Sequence, residues 1–239
     1  MIERLGAWLR QRPVVWVLAP GIVLMVVGLV VFGVVLEAVL DAEELWALDQ
    51  AVLAWMVDHR SDALTAVLAA ITFVTGPVVL PIIVAVGCGV WVRVRREWWR
   101  PSLLALAMIA STLVGLAVKG VVGRARPPAE TMFIPGAETT ASFPSGHTLG
   151  TATLLLVAGY LDASRNPTRG RIVGWAVATV VGTGLVALSR LYLGYHFLSD
   201  VLAASALAVA VLGVVCAVDR WHVWRRRDVP ATERLPVQP

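Results

Sequence analysis

Charge is scarce in this chain. Asp, Glu, Lys and Arg make up 15% of its 239 residues, against about 25% in a typical soluble domain. Lysine is nearly missing: Lys119 stands alone beside nineteen arginines. Cysteine is almost as rare. Cys88 and Cys216 both sit inside apolar runs, which excludes a disulfide framework or a zinc site and leaves small core or lipid-facing residues. Carboxylates are never clustered as a metal site requires. The net charge of +4 is not a nucleic-acid footprint, because the arginines fall in short groups between apolar runs. No internal repeat is visible. What remains is hydrophobic: 58% of the residues are apolar and the mean hydropathy is +0.78. That excludes a disordered chain and a water-soluble globule, and points to an integral membrane protein.

Six stretches carry no Asp, Glu, Lys or Arg: 13–36, 63–92, 101–118, 139–161, 172–189 and 201–218. A helix crosses a bilayer in about 17–25 residues, so all six qualify as spans. The first is too long for a secretory signal core and reads as an uncleaved anchor. Gly76-Pro77 predicts a kink in the second; a plain structural kink is the simpler reading, and a bent helix lining a cavity the functional one. The N-terminus, 93–100, 162–171 and 219–239 carry fifteen basic residues, whereas 37–62, 119–138 and 190–200 carry five. The positive-inside rule therefore places both termini in the cytoplasm. Within 37–62, Leu45, Leu48, Val52 and Trp55 recur at helical spacing, with Asp41, Glu43, Glu44 and Asp49 off that stripe or at its start. This predicts an amphipathic helix on the outer membrane surface, either as an anchor or as a rim that guides a lipid.

The expected fold is all-α: six transmembrane helices in a bundle, with the interfacial helix between the first and second. Residues 1–227 form one membrane domain, and the proline-containing 228–239 a disordered cytoplasmic tail.

Ionisable residues at or near spans are costly and imply function. Three groups on the outer side qualify. Lys119 and Arg126, seven apart, share one face if their helix continues; alone they would be snorkelling anchors. Phe143-Pro144-Ser145-Gly146-His147 opens the fourth span. Proline suits a first helical turn, free amides there bind anions, and Gly146 lets a ligand approach the backbone. The third group contains Ser189, Arg190, His196 and Asp200. His196 and Asp200, four apart, would be helix neighbours, with Asp200 fixing the tautomer of His196. Each histidine group alone could be a satisfied cap or ion pair. His59 and His222 read as solvated. Together the groups supply three cations, free amides, a hydroxyl, two histidines and an aspartate. Cations and amides suit a phosphate; two histidines with an aspartate suit nucleophilic attack and leaving-group protonation.

Lys119-x6-Arg126-Pro127, Pro144-Ser145-Gly146-His147 and Ser189-Arg190-x5-His196-x3-Asp200 resemble the three-part signature of the type-2 phosphatidic acid phosphatases, membrane lipid phosphatases related to vanadium haloperoxidases and glucose-6-phosphatase. Every signature position matches, and the six-span layout extends the likeness over nearly the whole chain. The resemblance implies a phosphohistidine on His196, oriented by Asp200, with His147 as general acid. Lys119, Arg126 and Arg190 would hold the phosphate, helped by Ser145 and the Gly146 amide. It implies no cofactor or metal. Arg124 is an extra cation outside the signature and is left unassigned. His196 should be neutral and His147 protonated in one active enzyme, giving a bell-shaped pH profile.

The expected substrate is a lipid phosphate or diphosphate of the outer leaflet: a polyprenyl diphosphate, phosphatidylglycerophosphate or phosphatidic acid. A lipid phosphotransferase and a catalytically silent lipid-binding or transport protein are the rival readings. No nucleic-acid partner is expected, and the oligomeric state is not readable. Arginine-rich, lysine-poor usage and compact size suggest a bacterial plasma membrane, with the active site on its extracytoplasmic side.

Overall fold

The computed structural model describes residues 13–41 and 44–227, and every regular element among them is helical. The tail expected at 228–239 lies outside the described residues. In chain order the helices are α1 (Pro13–Asp41), α2 (Glu44–Asp58), α3 (Asp62–Val74), α4 (Val79–Arg95), α5 (Trp99–Val122), α6 (Gly146–Ala163), α7 (Arg169–Tyr192) and α8 (Leu198–Arg227), with a 3₁₀ turn at Ala129–Thr131.

The apolar runs become helices, but not one for one. Among the described residues, four helices are each long and apolar enough to cross a membrane: Val14–Asp41, Trp99–Val122, Arg169–Tyr192 and Leu198–Arg226. The run 63–92 is split into α3 and α4, bent by 54°. Pro77 has no amide to donate, and the ladder breaks across Thr75–Val78. Counted as one broken span, this pair makes a fifth. The run 139–161 gives only the 18-residue α6. Its first seven residues, 139–145, form no helix, and polar Thr148, Thr151 and Thr153 are buried along its front half.

Helix α6 sits inside the bundle. Its Leu149 and Ala152 pack on Ala204, Leu207 and Ala208 of α8. Its Val157 and Leu161 join Leu103, Leu104 and Ala107 of α5 and Val215 of α8. Helix α1 lies along α8 through small residues. A Cβ on Gly21 would stand 2.6 Å from the Ala217 amide nitrogen and the Gly213 carbonyl oxygen. Such small-residue contacts let backbones approach where lipid offers no hydrophobic drive. The outer faces are apolar, with Val30, Phe73 and Val180 58–73% exposed, a surface suited to lipid. At the end of the bundle away from His147 and His196, Asp219 accepts from Trp99 Nε1 at 3.0 Å and pairs with Arg100 at 3.6 Å, while Arg100 donates to the Leu161 carbonyl at 2.7 Å.

Helix α2 forms where the sequence predicts it, with a different face inward. Leu48 and Trp55 of the expected apolar stripe are about half exposed, whereas Asp49 and Leu53 are buried. Asp49, assigned to the polar side, points into the protein because it has strong partners there. His222, expected to be solvated, stacks on Trp99 with centroids 3.7 Å apart. His59 stays exposed, and its Nδ1 donates to the Trp55 carbonyl at 2.8 Å.

Candidate active site

The four helix ends that carry the signature meet at one end of the bundle: the C-termini of α5 and α7 and the N-termini of α6 and α8. Local chemistry brings them there. Helix α5 stops at Gly123, whose φ of 59° closes a left-handed cap with its amide on the Lys119 carbonyl, a conformation glycine adopts without penalty. Lys119 and Arg126 therefore do not share a helix face, as an unbroken helix would require. They converge because the chain turns back between them. Lys119 Nζ donates to the carbonyls of Ala141 at 2.5 Å and Ser142 at 3.1 Å, holding the segment that leads into α6.

Pro144 is not in the first turn of α6. The helix opens two residues later, at Gly146, with Ser145 as its N-cap. The Ser145 amide donates to the Asp200 carbonyl at 3.1 Å, so the starts of α6 and α8 are tied together. Ser145 is fully buried. A Cβ added to Gly146 would meet nothing of the protein within 4 Å, so packing does not demand glycine there. His147 faces the break between α3 and α4, where a Cβ on Gly76 would stand 3.6 Å from His147 Nε2.

His196 precedes α8, and Asp200 is its third residue. Asp200 Oδ2 accepts from the Phe197 amide at 3.0 Å, as the third residue of a capping box does, and lies 3.1 Å from His196 Nδ1. The same oxygen accepts from Ser142 Oγ, which is also 3.3 Å from His196 Nδ1. On the other side of the ring, Arg126 Nη1 lies 3.3 Å from His196 Nε2. A guanidinium only donates. Nε2 therefore presents its lone pair, and the ring proton is on Nδ1, towards Asp200. Burial, with Arg190 and Arg126 adding to it and Asp200 opposing, lowers the His196 pKa to about 4. The imidazole is neutral at neutral pH.

Arg190 is almost fully buried. It donates to Thr72 Oγ1 at 2.8 Å and lies over the Tyr195 ring at 4.5 Å. Its Nε is a buried donor with no partner in the structure. Arg190 also pairs with Glu138 Oε1, while Arg126 Nη2 pairs with Glu138 Oε2 at 2.8 Å. Burial alone would raise the Glu138 pKa, but Arg190 and Arg126 outweigh it and hold the carboxyl below its usual range. One two-oxygen anion thus seats between two of the three signature cations.

A cavity of about 380 Å³ opens beside these groups, lined by Thr72, Phe73, Gly76, Glu138, His147 and Arg190 among others. The bend at Gly76-Pro77 is part of its wall, which favours the functional reading of that kink.

The structure brings all eight sequence-expected residues to this end: His196, His147, Asp200, Lys119, Arg126, Ser145, Gly146 and Arg190. It adds four. Glu138 bridges the arginines. Ser142 supports Asp200. Arg124 donates to Asp200 Oδ1 at 2.6 Å and to Asp49 Oδ2 at 2.7 Å. Arg124 was visible as a surplus cation; the other three carry no local pattern that marks them.

The family model described as the PAP2 superfamily matches residues 100–224, which contain every signature position. Phosphatidylglycerophosphatase B of Bacillus subtilis (strain 168) is 29% identical over 197 residues, spanning 81% of this chain and 94% of that protein. A crystal structure of a transmembrane PAP2-type phosphatidylglycerolphosphate phosphatase from Bacillus subtilis matches with a TM-score of 0.71 at 24% identity, covering 84% of this chain and 96% of that one. LpxE of Aquifex aeolicus matches with a TM-score of 0.51 at 18% identity, covering 73% and 95%. At these identities the two structures speak for the fold.

Proposed function

The chain belongs to the PAP2 superfamily, and from that premise we propose that it removes phosphate from a membrane lipid through attack of His196 on phosphorus. It is a lipid phosphate hydrolase: the family match takes in the whole signature, and the relative that it spans over 94% of that relative's length is a phosphatase. The observation that carries the histidine mechanism is the pairing of His196 with Arg126 and Asp200. The lone pair of Nε2 faces the cations while Nδ1–H is held by a carboxylate 3.1 Å away.

The site's own groups divide the work. A phosphate monoester carries about −1.5 to −2 charge at neutral pH. Lys119, Arg126 and Arg190 offset the repulsion it presents to a nucleophile. Each cation at about 4 Å contributes on the order of 4 kcal/mol at an effective dielectric of 20, before desolvation. To bind both guanidinium groups, the phosphate displaces Glu138. Ser145 Oγ and the Gly146 amide take a further oxygen at the α6 N-terminus. His196 Nε2 forms an N–P bond as the P–O bond to the lipid breaks. That electron pair goes to the lipid oxygen, which His147 protonates. A water then attacks phosphorus, His147 takes its proton, and the N–P bond breaks to release phosphate and restore Nε2. The cations also stabilise charge on the equatorial oxygens in both transition states.

The cavity beside the helix break supports a lipid substrate, because it opens among apolar faces of α3 and α4. The relative's name supports phosphatidylglycerophosphate as the first candidate, ahead of phosphatidic acid and polyprenyl diphosphates. We place six spans in the bilayer, counting α3–α4 as one broken span and the internal α6 as the sixth. Both termini are then cytoplasmic and the site extracytoplasmic, in a bacterial plasma membrane. The arginine distribution supports this orientation: apart from site residues, the basic groups concentrate at the far end.

The test is phosphate release by the detergent-solubilised protein from a panel of these lipids in EDTA, with His196→Ala alongside. Release that survives EDTA and vanishes in the variant is expected. Loss of phosphate from the lipid only when an acceptor alcohol is added, with the phosphoryl group recovered on that alcohol, would instead make the protein a phosphotransferase. Binding of lipid without release from any of them would overturn the enzymatic reading.

A further inference from the structure

The signature leaves one buried network at the site without a role. Arg124 Nη1 reaches Asp200 Oδ1 at 2.6 Å and Ser199 Oγ at 2.7 Å, and its Nη2 reaches Asp49 Oδ2 at 2.7 Å. Asp49 comes from α2, 75 residues from Arg124 and 150 from Ser199 in sequence. Its Oδ1 accepts from the Ser199 amide at 2.9 Å and its Oδ2 from Ser199 Oγ at 2.5 Å. Asp49, Ser199 and Asp200 are all fully buried. The Arg124 guanidinium also covers the Phe197 ring, 4.6 Å from its centroid, and Trp46 of α2 packs on the same ring at 5.4 Å.

The division of Asp200 is the informative feature. Oδ2 serves His196, Ser142 and the Phe197 amide; Oδ1 serves Arg124. A carboxylate whose second oxygen were free could rotate away from the imidazole. Here the planar fork of Arg124 blocks that rotation, and the fork is itself fixed by Asp49. Asp49 also places a negative charge on the free amides at the start of α8. No phosphate-binding side chain contacts Asp49, and Arg124 makes its side-chain bonds on the far side of Asp200 from His196.

We propose that Arg124 and Asp49 are positioning residues for the nucleophile: Asp49 locks Arg124, Arg124 locks Asp200, and the lock holds His196 in the Nδ1–H tautomer with Nε2 aimed at phosphorus. Docking of α2 onto the start of α8 is thereby part of the catalytic assembly. This rests on His196 being the nucleophile of a lipid phosphatase.

The experiment combines kinetics with a readout that needs no turnover. Arg124→Gln, Arg124→Lys and Asp49→Asn are made in the full chain, singly and with Asp200→Asn. They are assayed on phosphatidylglycerophosphate and phosphatidic acid micelles. Arg124→Gln should lower kcat about 100-fold and Asp49→Asn about tenfold, with KM within about threefold of the parent. Arg124→Lys keeps the charge but cannot bridge two carboxylates, and should fall between them. In the Asp200→Asn background, Arg124→Gln should cost less than about twofold more, because residues acting as one unit are not additive. Spectra of ¹⁵N-histidine-labelled protein should show one Nδ1–H tautomer for His196 in the parent and a mixture in Arg124→Gln and Asp49→Asn. A raised KM with unchanged kcat would make Arg124 a phosphate ligand and overturn the proposal. So would full additivity with Asp200→Asn, or an unchanged tautomer. If Arg124→Gln fails to fold, the near-isosteric Asp49→Asn carries the same comparisons. An inactive parent would sink the phosphatase reading and with it the catalytic part of this one, while the tautomer spectra would still decide whether Asp49 and Arg124 lock the imidazole.

Discussion

Arg126 Nη1 and His196 Nε2 lie 3.3 Å apart, with the Asp200 carboxylate on the opposite side of the ring. A group that can only donate faces one nitrogen, and a group that can only accept faces the other. The neighbours thus fix the tautomer of the imidazole before any substrate arrives, as the nucleophile proposed above would need. Asp200→Asn should therefore leave lipid binding nearly intact and lower kcat by about 100-fold or more, because an amide can support either tautomer. Equal losses in kcat and in lipid affinity would count against an orienting role.

Acid tolerance follows from the same burial. Protonation of His196 destroys the lone pair, so kcat/KM falls as pH drops through its pKa in the free enzyme. That pKa is lowered from 6.5 to about 4. The acidic limb of kcat/KM is expected near pH 4. Bound phosphate dianion adds negative charge beside His196, so the acidic limb of kcat should lie at higher pH than that of kcat/KM. An acidic limb of kcat/KM near pH 6.5 would show a solvated nucleophile instead.

Glu138 occupies Arg126 and Arg190, the two guanidinium groups proposed to hold phosphate. Glu138→Gln removes the competing charge while keeping the shape. KM for a lipid phosphate and the inhibition constant of inorganic phosphate should both fall by about 3–10-fold, an ion-pair effect at partial burial. Unchanged product inhibition in this variant would mean the carboxylate does not stand in the phosphate's place.

Arg190→Lys should behave as a severe change. The guanidinium is held at once by Thr72, Glu138 and the Tyr195 ring, and an ammonium cannot reproduce that planar arrangement. KM is expected to rise about 10–100-fold. Parent-like kinetics would assign Arg190 to structure rather than to phosphate.

Gly194 has φ of 72°, and a Cβ there would run into the Thr131 carbonyl and stand 2.8 Å from Arg60 Nη2. The turn it makes carries the chain from α7 to His196. Gly194→Ala should cost about 1–3 kcal/mol in stability from backbone strain alone. Thermal unfolding in detergent would read this loss, together with lower activity from a displaced His196. An unchanged midpoint would show that the turn relaxes freely.

Much of the site was legible before the fold. Lys119, Arg126, Arg190, His147, His196 and Asp200 declare themselves because ionisable groups beside apolar runs are costly, and their spacing matches a known signature. Glu138, Ser142 and Asp49 do not. Each lies in a segment where a lone polar residue is ordinary, and each gains its meaning from a partner at a distance in sequence. Asp49 shows why pattern alone misleads: placed on the polar side by periodicity, it is buried because Arg124 and Ser199 wait for it. The run 139–161 makes the same point for the fold. Absence of charge is a property of composition, and it does not distinguish a helix from the irregular 139–145 segment that Lys119 holds in place.

Composition and order thus determined that the chain enters a membrane as helices and carries the parts of a phosphate-handling site at their ends. Both follow from local costs, of charge in lipid and of unpaired backbone groups, that hold for any arrangement of the helices. Only the tertiary structure decided which face of α2 turns inward, where the α3–α4 break opens a cavity, and which carboxylates hold which arginines. Those outcomes depend on contacts between residues up to about 150 positions apart, and such pairings have energies that exist only once the helices have packed.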